Sequence, residues 1–279
     1  MGDLSVVLRT NGERTRELCR RLVEEELGWG HLEVIEEKPF FQAVRRTFAI
    51  GAKSGTPYLL GLDADVLLFR GALTHMVQIA QKLMQDHVLR IDFPLIDLFR
   101  GRTIGVHFYN NAYSRAFGEF LDREPAAAQK MRVESDNIRD FAAGRGLSWA
   151  DLSPGPPVAW HDYHQYLGDI CRKYETRYAR CLVDGNLVPI MENLERRLQA
   201  QPGDLDAAFA WHTLRSCSRG EPVITADLRA RYGVAERPPL GEEEMAAIRE
   251  QLPAMGSQGA PACSVQGQPE TILGTGLCG

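Results

Sequence analysis

The stretch YLLGLDADVLL, residues 58–68, sets Asp63 and Asp65 into an otherwise apolar run. Taking an ionised carboxylate out of water is costly unless an opposite charge compensates it. With Ala64 between them, the two acids turn toward one point only if the strand has already given way to a turn. A hard divalent cation, magnesium or manganese, would then offset their repulsion, and such ions often share their ligands with substrate phosphates. The competing use is ordinary, with Asp63 capping a turn and Asp65 facing solvent. The apolar approach and apolar exit favour the cation. On this reading, removing one acid relieves a repulsion and leaves the metal-free chain no less stable.

Other residues of chemical interest are scattered. WHDYHQY places His161, Asp162 and His164 together after the Pro154-Gly155-Pro156-Pro157 cluster. As a self-contained H-x-x-H metal site it ranks low, because it lacks the i, i+4 spacing that aligns two histidines on one helix face. His75, His87, His107 and His212 are read as packing residues. Six cysteines lie far apart without a C-x-x-C pair, which fits a reduced compartment and small buried side chains.

The elements that must position these groups follow from periodicity. Strands are expected over Leu4–Thr10, Leu32–Glu36 and Tyr58–Leu62, separated by helices over about 13–27 and 41–53. Gly55-Thr56-Pro57 is a strong turn signal. Strand, helix, strand, helix, strand is the order of an α/β sheet with right-handed crossovers. In such a sheet ligands bind beyond the carboxyl ends of the strands, where Asp63 and Asp65 stand. Beyond it come a helix over 71–84, apolar segments over 89–99 and 101–111, and helices over 114–121 and 134–143. Three more helices follow, over 163–180, 187–198 and from Gln201 through Trp211. Residues 253–279, rich in Gly, Pro, Ser and Gln, read as a disordered tail.

Bulk properties exclude some partners. The 279 residues carry 32 Lys and Arg against 37 Asp and Glu, a formal charge of -5, with no basic stripe. Nucleic acid is therefore not expected as a partner. No run approaches the roughly 18 apolar residues of a membrane span, and no signal-peptide pattern opens the chain, so a cytoplasmic protein is expected.

Leu4 to Asn11 (LSVVLRTN) resembles the first strand of GT-A nucleotide-sugar glycosyltransferases, especially the family 2 group. Pro39 to Asp65 resembles that family's Arg-bearing helix, glycine and strand delivering a D-x-D. Ile104 to Phe120 resembles its acceptor-side segment, and Val133 to Gly146 its acidic helix start. The similarity covers roughly residues 4–165, and only the D-x-D with its lead-in is specific. It implies a GT-A-like, Rossmann-type, mostly parallel sheet flanked by helices over 1–180, with a helical C-terminal extension over 181–252 and the tail over 253–279. It further implies Arg9 and Thr10 against the nucleotide and Glu36 or Glu37 near the base. Arg45 or Arg46 would pair with the diphosphate, and a solvated helix face is the alternative for each. Asp63 would lie near the ribose or the metal, and Asp65 would hold the cation. A late histidine serves many GT-A enzymes as a further metal ligand; His161 is the first choice and His164 the second. Asn110 and Asn111 would meet sugar hydroxyls, or else form a turn.

The resemblance departs in two places. The interval from Thr10 to Asp63 is too short for the usual further strand and helix. Where the family carries an adjacent Glu-Asp pair, this chain has Glu134-Ser135-Asp136. Allowing for Ser135, Asp136 is favoured as the catalytic base over Glu134. The implied activity is metal-dependent transfer of a sugar, with inversion, from a uridine- or guanosine-type nucleoside diphosphate sugar to a glycan or other hydroxyl acceptor. The rivals are a nucleotidyltransferase, which should carry a glycine-rich loop after its first strand, and a non-catalytic binding protein that kept the fold.

Overall fold

The computed structural model describes residues 2–28, 31–124, 126–130 and 132–255. Strand β1 (Leu4–Arg9) is buried along its whole length and lies parallel between β2 (His31–Ile35) and β3 (Tyr58–Asp63). The connections are helices α1 (Arg16–Leu27) and α2 (Phe40–Ser54), in the order the sequence leads one to expect. Gly55 ends α2 in the left-handed region at φ 70°, a conformation glycine adopts without steric cost.

Beyond β3 the sheet turns mixed. Its order is β2-β1-β3-β6-β5-β8-β4, with β7 also paired to β5. Strand β6 (Gly101–Asn110) runs antiparallel to both β3 and β5 (Val88–Asp97). Strands β7 (Ser148–Asp151) and β8 (Ala159–His161) run parallel to β5, and β4 (Val66–Leu68) closes the edge antiparallel to β8. Four of the seven pairings are parallel.

Alternation along the central strands divides the core. Leu4, Val6, Leu8, Leu60 and Leu62 face one side, packed with α1, α3 (Ala72–Leu83) and α10 (Glu242–Gln251). Val7 and Leu59 face the other, against α2, α4 (Ser114–Arg123) and α5 (Val133–Ala143). There Phe48 meets Tyr109 and Phe117 edge-on at 5.0 and 4.5 Å between ring centroids, a favoured aromatic geometry. A third cluster joins Phe99 to α6 (Leu167–Asp184), α7 (Leu187–Ala200) and α8 (Leu205–Ser218), whose N-cap Asp204 accepts from the Ala207 amide. Helix α9 (Thr225–Tyr232) leads to α10, which returns to the sheet, and Arg14 and Arg21 pair there with Glu244 and Glu242.

Two differences from the sequence reading matter. Helix α6 starts at Leu167 instead of Tyr163, because Asp162 and His164 adopt left-handed φ values of 69° and 61° that no helix accommodates. Residues 253–255, assigned to the tail, lie along Arg70, which donates to Pro253 and accepts from Met255. The remainder of that segment, 256–279, lies outside the described residues.

Gly51 allows α2 to approach α4 closely. An alanine methyl there would meet Asn111 Oδ1 at 2.6 Å, Leu59 Cδ2 at 2.7 Å and Ser114 Oγ at 2.9 Å. Gly51→Ala is therefore expected to lower stability by about 1–3 kcal/mol through overpacking, despite the better helix propensity of alanine. Urea denaturation checks this; an unchanged midpoint would mean that the packing yields freely.

Candidate functional site

Strand register brings the acids together. Arg9 and Asp63 are partners at the ends of β1 and β3, and Asp97 and His161 are partners at the ends of β5 and β8. His161 is also opposite Val66 in β4, which sets Asp65 beside Asp162; the Asp162 amide donates to the Asp65 carbonyl at 3.2 Å. Because β3 ends at Asp63 and the chain turns before β4, the two acids of the triplet part company. Asp63 joins Arg9, and Asp65 joins a buried cluster under α6.

In that cluster Asp65, His161 and Asp162 each offer one ligand atom, all within 4.8 Å of one another. His161 Nε2 lies 3.5 Å from Oδ1 of both aspartates, while its Nδ1 is 2.6 Å from Asp97 Oδ2, which fixes the ring. Helix α6 supplies Lys173, whose ammonium bridges Asp65 and Asp162, and Arg177, 2.7 Å from Asp162 and 3.7 Å from Asp97. Three carboxylates thus face three positive groups. Burial alone would raise Asp65, but the charges of Lys173 and His161 outweigh it and hold the carboxyl well below its usual value. Burial would lower His161; Asp162 and Asp65 outweigh that and push the imidazole up to about 10.

The residues fit a divalent cation on three counts. The donor set is two carboxylates and one imidazole, which ligates once a cation displaces its Nε2 proton; Asp65 Oδ1 is buried without a hydrogen-bond partner among the described residues; and a positive charge already sits between the two carboxylates. Asp63, expected to share the metal, is not in this cluster, and Asp162 is.

The second constellation is built on Arg9. Its Nε donates to Asp63 at 2.7 Å, its Nη1 donates to Glu134 at 2.8 Å from the first turn of α5, and the guanidinium lies over the Phe40 ring. Tyr109 donates to the other Glu134 oxygen at 2.9 Å. Burial would raise Glu134, but Arg9 outweighs it and keeps the carboxyl below its ordinary value. For Asp63, burial together with the Asp65 and Glu134 charges outweighs Arg9, and its carboxyl lies above its ordinary value.

Both constellations open into one cavity of about 650 Å³, lined among others by Arg9, Thr10, Glu37, Asp63, Asp65, Glu134, His161 and Asp162. Other residues of interest lie apart. Glu36 is exposed near Arg16, Arg45 pairs with Asp122, and Arg46 pairs with Glu33 on the outer face of α2. Asp136 accepts the Arg132 amide and does not line the cavity. Asn110 caps the Ala112 amide and donates to the Val88 carbonyl. Asn111 is buried and donates to the Gly51 and Thr56 carbonyls. His164 gives its backbone amide to Asp206.

Sequence reasoning missed α6 as a wall of the site. The signal is there in RKYETRYAR, where Arg172, Lys173, Thr176, Arg177 and Arg180 recur at helical spacing, and all five line the cavity. Asp97, at the end of an apolar strand like Asp63, was a further sign.

Among solved structures, one similar chain is described as "crystal structure of a glycosyltransferase involved in the glycosylation of the major capsid of PBCV-1". It is 15% identical with a TM-score of 0.38, and the match covers 53% of this chain and 81% of that one. So slight a likeness assigns no residue. No family model matches the chain, and no curated protein sequence matches it. No helix among the described residues is long and apolar enough to cross a membrane.

Proposed function

We propose that the protein is a metal-dependent glycosyltransferase that takes a sugar from a uridine- or guanosine-type nucleoside diphosphate and passes it, with inversion, to a hydroxyl acceptor. The observation that carries this reading is the convergence, beyond the ends of β1, β3, β5 and β8, of a three-ligand cation cluster and a separate carboxylate array on one cavity. Asp65, His161 and Asp162 would hold manganese or magnesium, which when bound neutralises the charge of the departing diphosphate. Arg9, held from two sides, meets the nucleotide. Asp63 takes the acceptor proton: Arg9 engages only its Oδ1, and its raised proton affinity suits a base. Glu134, with both oxygens bonded and its proton affinity lowered, keeps Arg9 in place. Asp136 lies outside the cavity, so the base role passes from it to Asp63.

Screening uridine and guanosine diphosphate sugars for manganese-dependent turnover tests the proposal. Loss of all turnover and binding across the set would contradict it.

Lys173 favours a second reading, a binding protein whose lysine satisfies the cluster without any cation. The variant Lys173→Met separates the two. If Lys173 competes with a cation, the substitution should raise manganese affinity at least roughly tenfold, equivalent to about 1.4 kcal/mol. It should also lower metal-free stability by about 2–3 kcal/mol, the range for a broken buried pair reduced for the partial exposure of Lys173. Calorimetric titration decides; no manganese binding in either form would leave only the binding protein.

A further inference from the structure

Two turns along α6 from Lys173 lies a positively charged place that the cation cluster does not use. Arg180 lines the cavity and is half-buried, and among the described residues its side chain makes no hydrogen bond or ion pair. The charges that weigh most on it are those of Arg177, Arg132, Arg100 and Asp184. Arg177 is already engaged by Asp162 and Asp97. Asp184 is shared between Arg132 at 2.6 Å and Arg100 at 3.5 Å. Asp184 thus answers Arg132 and Arg100 together, while Arg180 has no carboxylate within ion-pair distance among the described residues. Burial and the three neighbouring guanidiniums also pull Arg180 below its ordinary value. Arginines that outnumber the acid paired with them, with Arg180 and Arg132 lining the cavity, form a receptor for an anion, and forked guanidiniums suit phosphate oxygens.

We propose that Arg180, with Arg132 and Arg100, forms a phosphate subsite that receives the acceptor, so that the acceptor carries a phosphate group. The charge matches, because a phosphate monoester carries roughly −1.5 to −2 near pH 7. Position separates this subsite from the donor. Seven residues of helix from Lys173 to Arg180 span about 10 Å and bring the two side chains back to one face. Phosphates sharing a cation held by Asp65 and Asp162 would lie toward the Lys173 end, which leaves the Arg180 end to the second substrate. Assignment to the acceptor rests on the transferase reading; the anion site itself does not.

The test uses the full chain and the variant R180M, which deletes no native pair and removes a source of repulsion, so its melting temperature should hold or rise. Inorganic phosphate and acetate are titrated into metal-free protein, and uridine diphosphate and guanosine diphosphate separately into protein with manganese. Phosphate should bind wild type in a salt-sensitive manner and more tightly than acetate, and R180M should weaken it roughly tenfold or more. Manganese-dependent binding of whichever nucleotide wild type takes should be unchanged in R180M. Absence of phosphate binding in wild type, equal binding in R180M, or acetate binding as tightly as phosphate would overturn the subsite. An equal loss of affinity for that nucleotide would assign Arg180 to the donor and overturn the acceptor role. If wild type ignores uridine diphosphate and guanosine diphosphate alike with manganese, the acceptor assignment falls with the transferase reading, while the phosphate titrations still decide the anion site.

Discussion

Asp65→Asn is expected to reduce manganese affinity by roughly a hundredfold or more, and with it any manganese-dependent binding of a nucleoside diphosphate. The loss of one of two carboxylate ligands removes both a charge and an oxygen donor of the right strength for a hard cation. Two acids in an apolar run lead one to expect that the variant is no less stable without metal. The structure reverses that expectation: Asp65 pairs with Lys173 and faces His161, so its charge is held by positive neighbours. Removing it leaves Lys173 under-compensated in a largely buried place, and metal-free stability should fall by about 2–4 kcal/mol. Calorimetric titration with manganese and chemical denaturation check the two halves. Unchanged manganese affinity would remove Asp65 from the cation site, whatever the stability shows.

The second large effect concerns the acceptor proton. Asp63→Asn should depress turnover by roughly a hundredfold or more while leaving donor affinity near wild type, because a general base acts on the transition state and adds little to ground-state binding. The asparagine amide oxygen can still accept from Arg9, so the guanidinium keeps its place. Glu134→Gln should behave differently. Glu134 is buried and bonded through both oxygens to Arg9 and Tyr109, so losing its charge costs stability and loosens the donor side. Its variant is expected to show a lower melting temperature and weaker donor binding. Should Glu134→Gln alone lose turnover with donor affinity intact, the two acids exchange roles.

The N-terminal half of the sheet was legible because each of its elements announces itself locally. β1 is a run of buried aliphatics, α1 and α2 carry apolar side chains at helical spacing, and Gly28 and Gly55 stop them. The strands β4, β7 and β8 carry no such signal. They are three or four residues long, too short for a period to show, and exist through pairing with distant β5 and with each other. Helices α9 and α10 were hidden for a related reason: α9 buries no residue fully and α10 only Met245 and Ile248.

The candidate site divides in the same way. Asp65 and His161 were recognisable by residue type and by the apolar context of the D-x-D. That Asp63 would turn to Arg9 instead of joining Asp65 depends on where β3 stops, and strand ends are the least readable feature of a sequence. Asp162 enters the cluster through a left-handed backbone at φ 69°, which its neighbours in sequence do not dictate. Asn111 shows the opposite case. Its position after two aromatics suited a sugar, yet the close approach permitted by Gly51 commits its amide to backbone carbonyls.

The most direct measurement is calorimetric titration of the full chain with manganese, followed by uridine diphosphate and guanosine diphosphate with and without the metal. One manganese per chain should bind, at least one of the two nucleotides should bind more tightly in its presence, and Asp65→Asn should lose both effects. Nucleotide binding indifferent to manganese and to a chelator, or no manganese binding at all, would contradict a cation-dependent transferase site at Asp65, His161 and Asp162.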